Sequence, residues 1–278
     1  MKYINNKKTM KKTVVFCSLA LIFTALASTA NKQTITHVEQ ADGFGSQFQT
    51  IIAAAVYADL HNMEYAYTPF SSMEHNYDND PEFILKKEWL INFIGNVTLA
   101  DQNSIPLKVE LKNFFDTHIK ACASSNALQK IRRIFRANKN KNDYFNSDQY
   151  NIAIHIRRPN AHDNRIEGTN TPNSLFLNII QNLRKIYADK NIQFHIYSQG
   201  DTASFELFKN SDTTIHLNDS VEDSFSALVF ADALVTSRSS YSYAAALLSE
   251  GSVYYIPFWH TPLPHWISAL YLLEEKIS

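Results

Sequence analysis

The 278-residue chain is poor in cysteine, glycine and charge, with 2 Cys, 6 Gly, 8 Pro and only 19% charged residues. Two cysteines cannot build a disulfide framework, and Cys17 lies in an apolar N-terminal run, so a processed chain keeps Cys122 alone. Cys122, in an Ile-Lys-Ala-Cys-Ala setting, reads either as a small packed residue or as a nucleophile. Few glycines and prolines, against 45% hydrophobic residues, exclude collagen-like, low-complexity and disordered chains. A basic excess is missing too. Five of the 26 Lys and Arg fall in residues 1–30, leaving 21 against 27 acidic groups, a body charge of −6. Nucleic-acid binding normally needs a basic footprint, so none is expected here. Any anion must be held by local clusters.

Lys2, Lys7, Lys8, Lys11 and Lys12 precede the apolar run Thr13–Ala27, which ends in small residues. A basic head, an apolar middle and an A-x-A-like end describe a secretory signal peptide over 1–30. The other reading is an uncleaved single-pass anchor, since the 18 residues from 13 to 30 sit at the short limit for a span. Either way the body is expected to be exported by the secretory route, touching a membrane only through this segment. Asn96 and Asn218 match the glycosylation sequon for a eukaryotic host, a short pattern that often arises by accident.

The rest reads as α/β in two halves, 31–140 and 141–278. Apolar spacing predicts strands at Thr34–Val38 and Glu64–Thr68, and helices at Gln47–Leu60, Glu82–Phe93, Leu107–Lys120 and Ala127–Arg136. The aliphatic-free, Asn-rich run 138–151 reads as a linker. Beyond it, strands at Ile152–Ile156, Ile192–Tyr197, Thr214–Leu217, Ala233–Thr236 and Val253–Ile256 alternate with helices at Ser174–Ala188, Thr202–Phe208, Val221–Phe230, Tyr241–Ser249 and Trp266–Lys276. That alternation predicts a parallel sheet covered on both faces, with ligands at the C-terminal ends of its strands.

Three blocks carry chemistry. At the end of an apolar strand, His155 and Arg157 share a side and Arg158 opens the loop. A guanidinium fork matches two phosphate oxygens and stays charged at any working pH, while salt-bridging arginines are the plainer reading. Next, Ala233–Thr236 runs into Ser237-Arg-Ser239-Ser240 and an Ala-rich helix. Hydroxyls and free N–H groups there make an anion site, or Ser239 or Ser240 is simply an N-cap. Third, Gly43-Phe-Gly45 precedes a helix, either as a ligand turn or as a tight strand-to-helix turn. The run Asp78-Asn-Asp80 has a metal-binding D-x-D form, but Pro81 beside it indicates a helix start, so no metal is expected.

Together these blocks resemble the fucosyltransferases of the α1,2/α1,6 and protein O-fucosyl superfamily. Gly43–Gln49 is similar to the G-x-G-N-Q-type opening, His155–Asn160 to H-x-R-R-x-D, and Ala231–Ala246 to the A-D…S-x-S-S motif. Order and spacing agree across 36–260. Asn160 stands where the family has Asp, Ser46 where many members have Asn, and the first half is short. The resemblance implies a GT-B-like architecture of two Rossmann-like lobes, with GDP-fucose as donor held mostly by 141–278. It implies that Arg157, with Arg158, grips the β-phosphate, that His155 supports the nucleotide, and that Ser239 and Ser240 bind pyrophosphate oxygens. Asp223 is the nearest acidic candidate for the guanine or ribose, and Gly43 and Gly45 face the sugar and a glycan or protein acceptor.

A departing diphosphate can be stabilised by fixed arginines and helix-terminal N–H groups without a cofactor. Inverting attack then needs at most one general base, for which Glu167 and Asp163 in the polar loop after Arg158 are within reach, a solvated loop being the alternative. The expected function is a metal-independent transferase using GDP-fucose. The alternatives are another nucleotide sugar, or a secreted nucleotide- or glycan-binding protein with a degenerate site.

Overall fold

The computed structural model describes residues 32–159 and 171–274, and residues 32 onward pack as one unit. The expected signal segment over 1–30 and the candidate residues Glu167, Asp163 and Asn160 lie outside the described residues. No helix among the described residues is long and apolar enough to cross a membrane.

The architecture is α/β with two parallel sheets, as the alternation of elements predicts. In the first, β1 (Thr34–His37) lies between β2 (Glu64–Tyr65) and β3 (Ile105–Leu107), all parallel. The expected helix over Leu107–Lys120 is divided. Its beginning is taken by β3, which places Pro106 opposite Thr36. A proline can sit there because β3 is an edge strand and its missing N–H faces no partner. The helical remainder is α3 (Leu111–Thr117) and α4 (Ile119–Ala123).

Helix α1 (Phe44–Leu60) is buried nearly all round, from Phe48 through Ala53, Ala54 and Val56. A helix apolar on every side belongs in a core, and its small Ala side chains let neighbours approach closely. Helix α2 (Phe83–Ile91) ends at Asn92 in the left-handed conformation, φ 58°. Helix α5 (Asn126–Arg136) is amphipathic instead. It buries Leu128, Ile131 and Phe135, and its Ser125 cap accepts from Leu128 N at 3.2 Å.

The run expected as a linker holds a short 3₁₀ turn, Lys141–Asp143, closed by a reciprocal cap between Asn140 and Asp143. Asparagine and aspartate side chains satisfy the local backbone there without any aliphatic periodicity. Strand β4 (Tyr150–Ile156) starts two residues earlier than the apolar pattern indicates, because the buried Asn151 is wired to Asp232 through its N–H at 2.9 Å.

The second sheet adds α6 (Asn173–Ile186), β5 (Ile192–Ser198), a 3₁₀ segment at Thr202–Phe208, β6 (Thr213–Leu217) and α7 (Val221–Phe230). It continues through β7 (Ala233–Val235), α8 (Ser240–Leu248) and β8 (Ser252–Tyr255). The expected C-terminal helix is replaced by an edge strand β9 (Ile267–Ser268) and one short turn α9 (Tyr271–Glu274). There Ala269 N donates to Tyr255 O at 2.9 Å, so strand pairing takes backbone groups that a helix would have used internally. All six strands are parallel, in the order β6-β5-β4-β7-β8-β9. Ile152, Ile154 and Ile156 of β4 are fully buried, as expected for a strand covered on both faces.

Candidate functional site

In chain order the second sheet runs third, second, first, fourth, fifth, sixth, the doubly wound order whose direction reverses between β4 and β7. At such a reversal the loops leaving two neighbouring strands diverge to opposite faces and open a crevice at their C-terminal ends. Those ends carry His155–Arg158 on β4 and Ser237–Ser240 after β7. Both line one cavity of about 490 Å³ with Gly43, Gly45 and Ser46 of the first half.

His155 sits at the floor. Its Nδ1 is 2.8 Å from Ser237 Oγ, and its ring lies 5.3 Å from that of Tyr241. Burial, with the charge of Arg157 second, lowers its pKa to about 3, so the imidazole is neutral near pH 7. Arg157 and Arg158 both line the cavity, half-buried, but their roles differ. Arg158 donates to Thr171 O at 2.8 Å and to Asn173 Oδ1, with its guanidinium over the Phe205 ring. That arginine ties the β4 loop to the start of α6, while Arg157 stays on the cavity lining.

Ser239 is the N-cap of α8, accepting from Tyr241 N at 3.3 Å, and Ser240 opens the helix. The cap reading and the anion reading coexist, because one cap satisfies only one of the first-turn N–H groups. Gly45 shows why a small residue is needed. A Cβ there would stand 2.4 Å from Tyr241 Cα and 2.5 Å from Tyr241 N, so the starts of α1 and α8 touch backbone to backbone. At Gly43 a Cβ would meet the His75 ring at 2.7 Å. The two glycines therefore set the spacing of the cleft walls. Asp223 is the predicted residue outside the cavity lining: it is exposed on the first turn of α7, exchanging hydrogen bonds with the Ser220 cap.

The cavity adds residues that sequence reasoning passed over. Arg238 is exposed on the lining, and among the described residues no hydrogen bond or ion pair engages it. It follows a strand just as Arg157 does, so the same signal was available. Tyr197 stacks on His216 at 4.4 Å, and His216 Nδ1 is 3.3 Å from Asp219 Oδ2. On the opposite wall, the Ser46 hydroxyl donates to Asp42 Oδ2, while Lys112 Nζ donates to Ser46 Oγ and stands 3.7 Å from Asp42 Oδ2. Burial pulls the Lys112 pKa down, against the pull of Asp42. Lys87, whose side chain is 2% exposed, pairs with Glu222 at 2.6 Å and joins α2 to α7 at the cleft rim.

Asp80 accepts from Glu82 N at 2.9 Å and from Lys86 Nζ at 2.7 Å, so the D-x-D carboxylate is spent on starting α2. Among the described residues no cluster of three His, Cys, Asp or Glu could hold a metal ion. Cys122 is fully buried, and burial pushes its thiol up to about 11, which fits the packed reading. The Asn218 sequon side chain bridges the Gly200 backbone, at 3.0 Å in both directions.

No protein-family profile matches the chain. No curated protein matches it by sequence either. Among solved structures it is similar to the NodZ alpha-1,6-fucosyltransferase soaked with GDP-fucose (12% identity, TM-score 0.44, 83% of this chain and 100% of that one). It is also similar to POFUT1 in complex with GDP (11%, 0.38, 82% and 99%). A third is the E. coli heptosyltransferase WaaC with an ADP-heptose analogue (10%, 0.40, 84% and 92%).

Proposed function

We propose that the chain is a GT-B-like glycosyltransferase that takes GDP-fucose and transfers fucose, with inversion, to a glycan or protein acceptor. One observation carries the reading. The Arg157 loop of β4 and the serine-capped start of α8, each of a chemistry suited to an anion, line one cavity at the reversal point of a doubly wound sheet.

In this reading the pyrophosphate lies between Arg157, Arg238 and the first turn of α8. Its nucleoside extends along the ends of β5 and β6, past Tyr197 and His216, and its sugar faces the α1 turn. An acceptor hydroxyl attacks the anomeric carbon as the carbon–oxygen bond to the β-phosphate breaks. Negative charge grows on the departing diphosphate, where fixed guanidinium groups and helix-terminal N–H groups meet it without reorganising. The neutral His155 can donate or accept a single hydrogen bond to the nucleotide without adding charge.

The proton of the hydroxyl passes to a carboxylate. Glu167 is the candidate from the loop after Arg158. Among the described residues Asp42 is placed across the cleft from the arginines, held by Ser46. With these cations supplying the charge, no metal is required. Export by the secretory route, or retention by the N-terminal segment as an anchor, is part of the proposal; a Golgi or ER lumen supplies nucleotide sugars, whereas a periplasm offers no obvious supply.

Calorimetric titration of the full chain with GDP, with and without EDTA, tests the donor. Wild type is expected to bind equally in both conditions, and Arg157→Ala to lose most of the affinity while staying folded. Undiminished binding by a folded Arg157→Ala protein overturns the assignment. Donor hydrolysis then distinguishes a working transferase from a binding protein.

A further inference from the structure

The described surface holds two strongly exposed tryptophans, Trp89 at 62% and Trp259 at 58%, and of these only Trp259 lines the cleft. Tryptophan is highly buried on average, so an exposed indole at a cavity wall leaves a large π face for whatever enters.

Its position follows from α3. Asp116 on that helix accepts from Thr261 N at 2.9 Å and holds His260 Nδ1 at 3.0 Å, pinning the loop that carries Trp259. Lys112 lies four residues earlier on the same face of α3, roughly 5–6 Å away between Cβ atoms. Lys112 in turn reaches Ser46 and Asp42. One face of α3 therefore anchors both the loop of Trp259 and the turn of Asp42, and both residues line the cavity. The His75 ring lies against Gly43, and Tyr77 is 41% exposed on the cavity lining.

The charge of this flank is net negative, with Lys112 partly offsetting Asp42 from 3.7 Å. Asp42, Glu74 and Asp78 line it, and Glu74 and Asp78 are exposed. The arginines that could offset them face the diphosphate in the functional reading above.

We propose that Trp259 is the stacking platform of the acceptor subsite, taking the C–H face of an uncharged or amine-bearing saccharide whose hydroxyl points at Asp42. The proposal rests on the donor assignment for which side of the cleft is free. The indole face is electron-rich and the C–H bonds of a pyranose face carry partial positive charge, so they attract as an aromatic edge and face do. An anionic sugar would meet the carboxylates of this flank.

Saturation-transfer NMR on the full chain loaded with GDP tests it, with the methyl glycosides of galactose, glucosamine and glucuronic acid as probes. The galactoside and the glucosaminide are expected to bind and the glucuronide not. Trp259→Ala should weaken the first two roughly two- to twelve-fold, with Trp259→Phe recovering part and GDP affinity kept. The exposed position makes Trp259→Ala compatible with folding. Unchanged probe binding in Trp259→Ala overturns the proposal, as does equal binding of the glucuronide, absence of binding by all three probes, or loss of GDP affinity in the variant. If wild type fails to bind GDP, the donor assignment falls, and the same titration without GDP decides the platform.

Discussion

Replacing Gly45 by alanine should damage both stability and nucleotide binding, and the size of the effect follows from backbone geometry. The added methyl carbon would lie 2.4 Å from Tyr241 Cα, 2.5 Å from Tyr241 N and 2.9 Å from Ser240 C. Carbon atoms in ordinary contact stand about 3.5–4.0 Å apart, so α1 and α8 must separate by about 1 Å. All three atoms are main chain, and no side-chain rotation relieves the clash. Overpacking of this kind costs about 1–3 kcal/mol, from which the better helix propensity of alanine returns up to about 1. The net loss is centred on about 1.5 kcal/mol, or a melting temperature lower by roughly 3–6 °C in a domain of this size. Gly43 is the internal control. Its added methyl meets only the His75 ring, a side chain whose shift strains its hydrogen bond to Tyr77 but moves no helix, so Gly43→Ala should cost less. Urea denaturation of wild type and both variants ranks them, and calorimetry measures GDP affinity. Gly45→Ala should bind GDP more weakly because Ser239 and Ser240 move with α8. A Gly45→Ala protein as stable as wild type, or less perturbed than Gly43→Ala, refutes the claim that these two backbones touch.

Arg157→Ala should cost about 1.5–3 kcal/mol of GDP affinity, and Arg157→Lys should recover little, since a point charge cannot match two oxygens at once. Ser239→Ala should weaken GDP less, because the N–H groups of the turn remain; calorimetry that ranks Ser239 above Arg157 contradicts the assignment. Lys87→Met should destabilise by about 3–5 kcal/mol, leaving Glu222 beside an apolar neighbour, whereas Lys87→Met with Glu222→Leu should be milder. Denaturation curves giving the double variant the larger loss would contradict that pairing. Burial lowers His155 to about 3, and His37 and His195 to about 4. Between those values and the unfolded value near 6.5 the unfolded chain binds more protons. Stability should therefore be level above about pH 7 and fall on acidification, by up to about 1.4 kcal/mol per pH unit for each histidine. A denaturation midpoint unchanged from pH 7 to pH 4.5 would refute the buried neutral imidazoles.

The sequence by itself determined the features whose physics is local. A run of isoleucines ending in His155 and Arg157 reads as a buried strand with charge at its tip, because alternation and burial act within seven residues. The serine-capped start of α8 is visible for the same reason, since a cap and its helix are neighbours in the chain. Tertiary structure decided whatever depends on partners far away. Pro106 can occupy a strand only because β3 became an edge. The final strand β9 exists only because Tyr255 offers a carbonyl to it. Asp223 and Glu222 are adjacent and equally acidic, yet one turns to solvent and its own cap while the other meets Lys87, 135 residues earlier. Arg157 and Arg158 are likewise adjacent, and only the fold shows that Arg158 is tied to Thr171 and Asn173 at the start of α6. That Trp259 and Asp42 line one cavity depends on α3, which anchors both loops. Local sequence sets which groups can be charged, capped or buried. Which of them share a cleft is set by strand order and by close approaches such as Gly45 on Tyr241, and those depend on contacts that no stretch of chain contains within itself.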